Sequence, residues 1–267
     1  MSKISILGCG WLGFPLAKAL LQKDFVVKGS TTSAEKLALL ENAGISPFLI
    51  SLKAEETQGD IMGFLENASV LIIDIPPKLR GVEKENFVAK IENLIPFIKQ
   101  SSVESVLFIS STSVYSDETQ LITEATPVNP DTESGRQLVA TEKLLQDNTS
   151  FKTTVLRFGG LIGEDRHPAR FLAGRKDVEN PEAPINMIHQ DDCIGIILKI
   201  IDTNSWGETF NAVAPFHPTR KQYYTKKTLE MELEPPIFNH EKPSVGKTVE
   251  ATKIMEVLGY EFVREDF

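Results

Sequence analysis

The sequence predicts an α/β protein: a doubly wound parallel sheet with a small substrate lobe toward the C-terminus. Three observations lead to that fold class. Apolar, β-branched runs alternate six times with helical stretches over residues 1–160. The run Val70-Leu71-Ile72-Ile73 is apolar at every position, as strands covered on both faces are. Third, Ile4-Ser5-Ile6-Leu7 runs directly into G-C-G-W-L-G at 8–13 and then into the Ala/Leu-rich stretch at 15–21, a strand, tight turn and helix.

That turn organises the chain. Gly8 permits the bend, Gly10 lets the turn's N–H groups approach a pyrophosphate, and Gly13 lets the helix pack closely on the strand, with Trp11 and Leu12 between them. The helix start presents its partial positive charge to the phosphates. A dinucleotide site at residues 8–13 follows.

Bulk properties narrow the setting. The 267 residues, 41% of them hydrophobic, suffice for a full core. A net charge of -9 repels polyanions, so no nucleic-acid partner is expected. The two cysteines, Cys9 and Cys193, make neither a disulfide framework nor a metal site. No apolar run approaches the length of a membrane span, and the N-terminal run is too short for a signal peptide. The expectation is a soluble cytoplasmic protein without a membrane partner.

The elements follow in order. Phe25-Val26-Val27 forms a second strand, with residues 28–33 as the turn beyond it. A Rossmann unit specific for NAD carries an acid about 20 residues after the glycines. Here the segment offers Ser30, Thr31, Thr32 and Ser33, with Lys28 and Lys36 nearby, which suits a 2′-phosphate. NADP is the expected cofactor and NAD the alternative. Thr32-Ser33-Ala34-Glu35 also reads as a capping box for the next helix, which Gly44 ends. A third strand spans 47–50, and Asp60 caps a short helix through Phe64 and Leu65. The fourth strand, at 70–73, ends in Asp74-Ile75-Pro76-Pro77. Ile75 and Pro76 thus stand at a strand's C-terminal end, where ligands of doubly wound sheets sit, with Lys78 and Arg80 beside them.

An amphipathic helix is expected over 82–99, with Pro96 kinking it. The fifth strand, 105–109, delivers S-S-T-S-V-Y at 110–115, and residues 116–130 read as loop. A helix at 134–146 leads to the sixth strand at 153–158, which ends on Gly159-Gly160. Residues 1–160 are therefore assigned to dinucleotide binding. Residues 161–267 form the substrate-side lobe, from which about 186–214 return to the first domain. Within that lobe the sequence suggests a short helix near 169–173, a strand at 186–189, and an apolar helix at 194–201 capped by Asp191 or Asp192. It also suggests a strand at 210–213, a Thr219-capped helix, and a last helix ending at Gly259.

With these residues in place, the chain resembles the extended branch of the short-chain dehydrogenase/reductase superfamily, that of NAD(P)-dependent nucleotide-sugar epimerases and dehydratases. The resemblance rests on the glycine turn, S-S-T-S-V-Y at 110–115, R-F-G-G-L-I-G at 157–163, N-M-I-H-Q-D-D at 186–192 and G-E-T-F-N at 207–211. It implies cofactor contacts at Ser110 and at Phe158, Gly159 and Gly160. It implies a catalytic hydroxyl at Ser111, four residues before Tyr115. The glycine turn is one residue shorter than that branch's usual turn, which marks an atypical subgroup. The resemblance also implies a nucleotide-sugar substrate and a homodimer formed by the helices that begin near Val82 and Ser134.

One departure bears on mechanism. Where relatives carry a Tyr and, four residues on, a Lys, alignment on Gly135 and Glu142 puts Ser134 and Leu138. A serine hydroxyl polarises a carbonyl but is too weak an acid to protonate it. The candidate substitutes are Tyr115, which also reads as packing or shaping the pocket, and His167, with His189 a further histidine, either of which also reads as a hydrogen-bonded structural residue, while Arg166 and Arg170 suit a substrate phosphate or carboxylate. Two functions follow from this reading: an NADP-dependent oxidoreductase or epimerase/dehydratase-like enzyme with an atypical site, and a non-catalytic NADP-binding sensor or regulator.

Overall fold

The computed structural model describes residues 3–77 and 85–264. The chain enters the centre of a seven-stranded parallel sheet with β1 (Lys3–Leu7), turns into α1 (Gly13–Leu21) and returns as β2 (Val26–Thr31). A 3₁₀ turn and α2 (Leu37–Asn42) lead to the edge strand β3 (Ser46–Leu49). A hairpin of β4 (Ser51–Leu52) and β5 (Thr57–Gln58) precedes α3 (Ile61–Leu65). The chain then crosses to the other side of β1 with β6 (Ala68–Ile73), α4 (Phe87–Gln100), β7 (Ser105–Ser111), β8 (Leu121–Ile122), α5 (Glu133–Gln146) and β9 (Lys152–Phe158). Beyond them come β10 (Gly160–Ile162), α6 (Ala169–Leu172), β11 (Met187–His189), α7 (Gln190–Asp202), β12 (Thr209–Ala212), α8 (Arg220–Glu230), β13 (Thr248–Val249) and α9 (Thr252–Leu258).

The strand order is β12-β9-β7-β6-β1-β2-β3, so the winding reverses between β1 and β6. In open α/β sheets the ligand crevice lies outside the strand ends at such a reversal. Each face of the sheet carries its own core. Leu16, Ala17 and Leu20 of α1 pack with α7 and α9 on one face, and α3, α4 and α5 cover the other. This is the doubly wound parallel sheet that the alternation of strands and helices predicts. A third, smaller core joins Ile162, Ala169, Ile185, Met187, Tyr223 and Tyr224 beside the sheet. Among the described residues no helix is long and apolar enough to cross a membrane.

Local signals account for most element ends. The Asp60 carboxylate accepts the Gly63 N–H at 2.8 Å, Thr219 and Gln222 close a reciprocal cap on α8, and Gly44 leaves α2 with φ +81°. Other expectations need correction. Pairing with β3 carries β2 on through Lys28 to Thr31, so the turn expected from residue 28 starts only at Thr32. No capping box forms at Thr32; Thr31 Oγ1 instead accepts the Ser33 N–H at 3.2 Å. Helix α7 starts at Gln190 and is capped by His189, whose Nδ1 accepts the Asp191 N–H at 3.2 Å. Asp192 does not cap it, because its carboxylate accepts the Tyr260 hydroxyl and the Val263 N–H, both at 2.8 Å. Lys78, Arg80 and the expected helix start at Val82 lie outside the described residues. The helix runs from Phe87, with Asn86 Oδ1 accepting the Ala89 N–H.

Candidate functional site

The glycine turn links β1 to α1 at the crevice. A Cβ on Gly8, which has φ +108°, would stand 2.3 Å from the Asp74 carbonyl oxygen, and one on Gly13 would stand 2.2 Å from the Gly8 carbonyl oxygen. Both positions therefore exclude a side chain, one for conformation and contact, the other for close packing. At Gly10 a Cβ would meet nothing within 4 Å. The turn's own bonds use the Gly8 N–H on Ser30 Oγ (2.9 Å), the Cys9 N–H on the Ser30 carbonyl (2.8 Å) and the Gly10 N–H on the Gly8 carbonyl (2.9 Å). Among the described residues the N–H groups of Trp11 and Leu12 are left without a partner in the chain. Two unpaired N–H groups at a helix start, just after a glycine whose Cβ position is open, are the elements from which an anion site can be built.

A cavity of about 630 Å³ opens on this turn. It brings together Gly8, Gly10, Ser30, Thr31, Thr32, Lys36, Ile75 and Pro76 of the expected contacts, but not Trp11, Leu12 or Gly13, and adds Lys53, Asp74, Asn86 and Lys90. The hairpin that carries Lys53 is clamped to α4, with Asn93 Nδ2 donating to the Ala54 carbonyl at 2.9 Å. Lys90 pairs with Glu85, whereas Lys36 is exposed on the 3₁₀ turn. Lys28 does not reach the cavity. Its ammonium donates to the carbonyls of Gly63 (2.6 Å) and Glu66 (2.8 Å) at the end of α3, because the strand places its side chain on that face. Burial lowers its pKa.

Asp74 is the acid of this site. Burial raises its carboxyl to about 7, against the lowering effect of the Gly13 N–H that it accepts. Cys9 is pushed up to about 12, first by burial and then by Asp74, so its thiol stays protonated at neutral pH.

The expected catalytic segment is placed differently from the cavity, which Ser110, Phe158, Gly159 and Gly160 do not line. The Ser110 hydroxyl faces α5 and donates to Glu142 Oε1 at 2.5 Å. Glu142 also accepts Arg157 Nε (3.1 Å to Oε1) and Nη2 (2.6 Å to Oε2), both residues being buried. Arg157 Nη1 donates to the Tyr115 hydroxyl (2.6 Å), which donates to Asn211 Oδ1 (2.8 Å). Tyr115 is thus held in the core by a polar chain in which only the Asn211 Nδ2 lacks a partner among the described residues. Burial raises its pKa, and Arg157 opposes the shift without cancelling it. The phenol's hydrogen is within reach of two acceptors inside the core, Asn211 Oδ1 (2.8 Å) and the Thr123 carbonyl (3.3 Å), a setting that does not favour the role of proton donor to a substrate. Phe158 packs in the sheet core, and Gly159 permits contact with Asn186, whose carbonyl oxygen would lie 2.6 Å from a Cβ.

Ser111 ends β7 with its hydroxyl accepting the Ser113 N–H at 3.2 Å. A Cβ on Gly135 would stand 2.3 Å from the Ser113 carbonyl oxygen, so the start of α5, which carries Ser134, abuts the turn that begins at Ser111. Leu138 is buried in the core on that helix. On the other side of the glycine turn, Trp11 Nε1 donates to Asp165 Oδ1 (2.7 Å), and the Arg166 guanidinium lies 5.0 Å from the Trp11 ring centre. Gln190 Nε2 fixes the Trp11 carbonyl at 2.7 Å. His167 is half-buried beside this clasp, and Arg170 is exposed on α6. Among the described residues no group of three or more His, Cys, Asp or Glu could hold a metal.

Asp74, Lys53 and the Glu142–Arg157 pair escape sequence reasoning. Only Asp74 carries a usable signal, an acid at the C-terminal end of an otherwise apolar strand next to the sheet's reversal.

No family model matches the chain. Protein YeeZ of Escherichia coli strain K12 is 34% identical over 268 residues, covering 100% of this chain and 97% of that protein. Among solved structures, a putative NAD-dependent epimerase/dehydratase from Methylobacillus flagellatus superposes with TM-score 0.78 at 22% identity, over 99% of this chain and 94% of that one. The UDP-glucuronic acid 4-epimerase of Bacillus cereus in complex with NAD gives 0.79 at 16%, over 98% and 92%.

Proposed function

Because the chain belongs to the same family as Protein YeeZ, with the fold of the extended short-chain dehydrogenase/reductase superfamily, we propose that it is an NADP-dependent oxidoreductase or nucleotide-sugar epimerase/dehydratase-like enzyme. The observation that carries the cofactor is the glycine turn. Space stands open at the Cβ position of Gly10, and the N–H groups of the next two residues, Trp11 and Leu12, have no partner in the chain among the described residues. Those N–H groups would hold the pyrophosphate, the crevice between β1 and β6 would take the adenosine half, and Thr32, Lys36 and Lys53 would meet a 2′-phosphate. When bound, the nicotinamide supplies hydride acceptor and donor chemistry. NAD in two solved neighbours, MoeE5 and the Bacillus cereus epimerase, supports the nucleotide class.

The chain's own residues divide the remaining work. The hydroxyls of Ser111 and Ser134 polarise a substrate carbonyl or hydroxyl, and Arg166 and Arg170 draw an anionic group such as a nucleotide-sugar diphosphate toward the lobe. With Tyr115 sealed, His167 is the residue assigned to proton transfer. Helices α4 and α5, which pack together, are the surface assigned to a homodimer.

A second reading has its own observation. At the position where relatives place an ammonium, this chain has Leu138 buried in the core, which favours a non-catalytic NADP-binding sensor. Titrating the protein with NADPH by fluorescence, then following NADPH oxidation against UDP-sugars, aldehydes and ketones, separates the two readings. Both expect binding, and only the enzyme expects turnover.

A further inference from the structure

Resting on the cofactor reading above, we propose that Asp74 is protonated when a dinucleotide occupies the glycine turn, so that binding takes up one proton at this carboxyl. The carboxyl and the pyrophosphate compete for one helix start. Asp74 leaves β6 with its N–H on the Leu7 carbonyl (2.9 Å) and its own carbonyl against Gly8. Its Oδ2 lies 3.2 Å from where a Cβ on Gly13 would stand, and its carboxyl accepts the Gly13 N–H. The N–H groups left for the pyrophosphate belong to the two residues just before Gly13. An ionised Asp74 therefore puts a negative charge beneath the seat of two more.

Among the described residues no cation stabilises the charged form of this carboxyl; Arg166, 5.0 Å from the Trp11 ring centre, acts on Cys193 and not on Asp74. The thiols that face it, Cys9 of the turn and Cys193 of α7, are both held protonated by burial. On the cavity wall Lys90 is taken by Glu85, and Lys36 and Lys53 share the outer rim with Glu55. Asp191 and Asp192 of α7 are engaged elsewhere, by Arg264 and by Tyr260 and Val263. A carboxyl in this setting already titrates near neutrality, so phosphate charge moves it further toward the neutral form. Protonation keeps the Gly13 contact through the carbonyl oxygen and removes the repulsion.

The test is isothermal titration with NAD from pH 5.5 to 8.5, in two buffers of different ionisation enthalpy. NAD is the probe because the 2′-phosphate of NADP itself titrates near pH 6. The expected result is uptake of close to one proton at pH 8 and a Kd that rises toward tenfold per pH unit above the Asp74 transition. Asp74→Asn should bind at pH 8.5 as wild type binds at pH 5.5, without a slope. Should that variant not fold, carbon-13 NMR of the wild-type Asp74 carboxyl gives the same answer, its midpoint moving up when NAD is added. A pH-independent Kd without proton uptake, or an unmoved NMR midpoint in a protein that binds NAD, overturns this proposal alone. Absence of NAD and NADP binding at every pH overturns the cofactor reading and this proposal with it.

Discussion

Arg157 Nη1 donates to the Tyr115 hydroxyl over 2.6 Å, and the same guanidinium lies 5.1 Å from the centre of that ring. This relationship makes the tyrosine of the S-x-x-V-Y segment part of the core. Tyr115→Phe should leave Arg157 Nη1 and Asn211 Oδ1 buried without their shared partner. The expected loss of stability is about 1–3 kcal/mol, measured by urea unfolding. NADPH affinity should change less than about twofold.

The two lysines near β2 should separate cleanly. Lys36→Ala removes a cation from the cavity rim, and its expected cost is about tenfold in NADP affinity with NAD unaffected. Lys28→Ala instead removes the clip on the last carbonyls of α3. It should lower the unfolding midpoint and leave the ratio of NADP to NAD affinities unchanged. Competition titrations with the two nucleotides read both outcomes.

Much of this fold is legible in the sequence because its elements announce themselves locally. The fully apolar run of β6, the Asp60 and Thr219 caps and the exits at Gly44 and Gly259 each follow from neighbouring residues. What sequence reading misses depends on distant partners. Lys28 reads as a phosphate ligand until β3 is seen to extend β2 and turn its side chain toward α3. Tyr115 reads as a packing or pocket-shaping residue or as a proton donor until Arg157 and Asn211, 42 and 96 positions away, are seen to bond it inside the core. The hairpin that brings Lys53 to the cavity has strands of two residues each, too short to show a period.

Stability should carry the mark of Asp74. Its folded-state pKa lies above the value in an unfolded chain, so its favourable contribution is fully present below about pH 4 and is lost as pH rises through about 7. Asp74→Asn should therefore raise the thermal midpoint relative to wild type at pH 8, by about 2–4 °C for each kcal/mol relieved. The gain should shrink toward zero near pH 4. Thermal scans of both proteins across that range decide it.

Proton transfer is assigned to His167, with Ser111 and Ser134 polarising. Ser134→Ala should lower turnover by less than about tenfold, whereas His167→Ala should cost about 10²–10⁴ in rate with Kd for NADPH unchanged. Full turnover in the His167→Ala variant would remove it from the mechanism. Turnover absent from wild type on every sugar nucleotide, aldehyde and ketone tried would favour the sensor.

The dinucleotide seat at the glycine turn is tested most directly by NADPH fluorescence titration of wild type and Gly10→Val. The free side has room for a valine, since a Cβ there meets nothing within 4 Å, so the variant should fold with an unchanged circular dichroism spectrum. Its branched side chain would fill the space beside the Trp11 and Leu12 N–H groups. Saturable binding to wild type and a loss of at least about 100-fold in the variant are expected. Equal NADPH affinity in a folded Gly10→Val protein would contradict it.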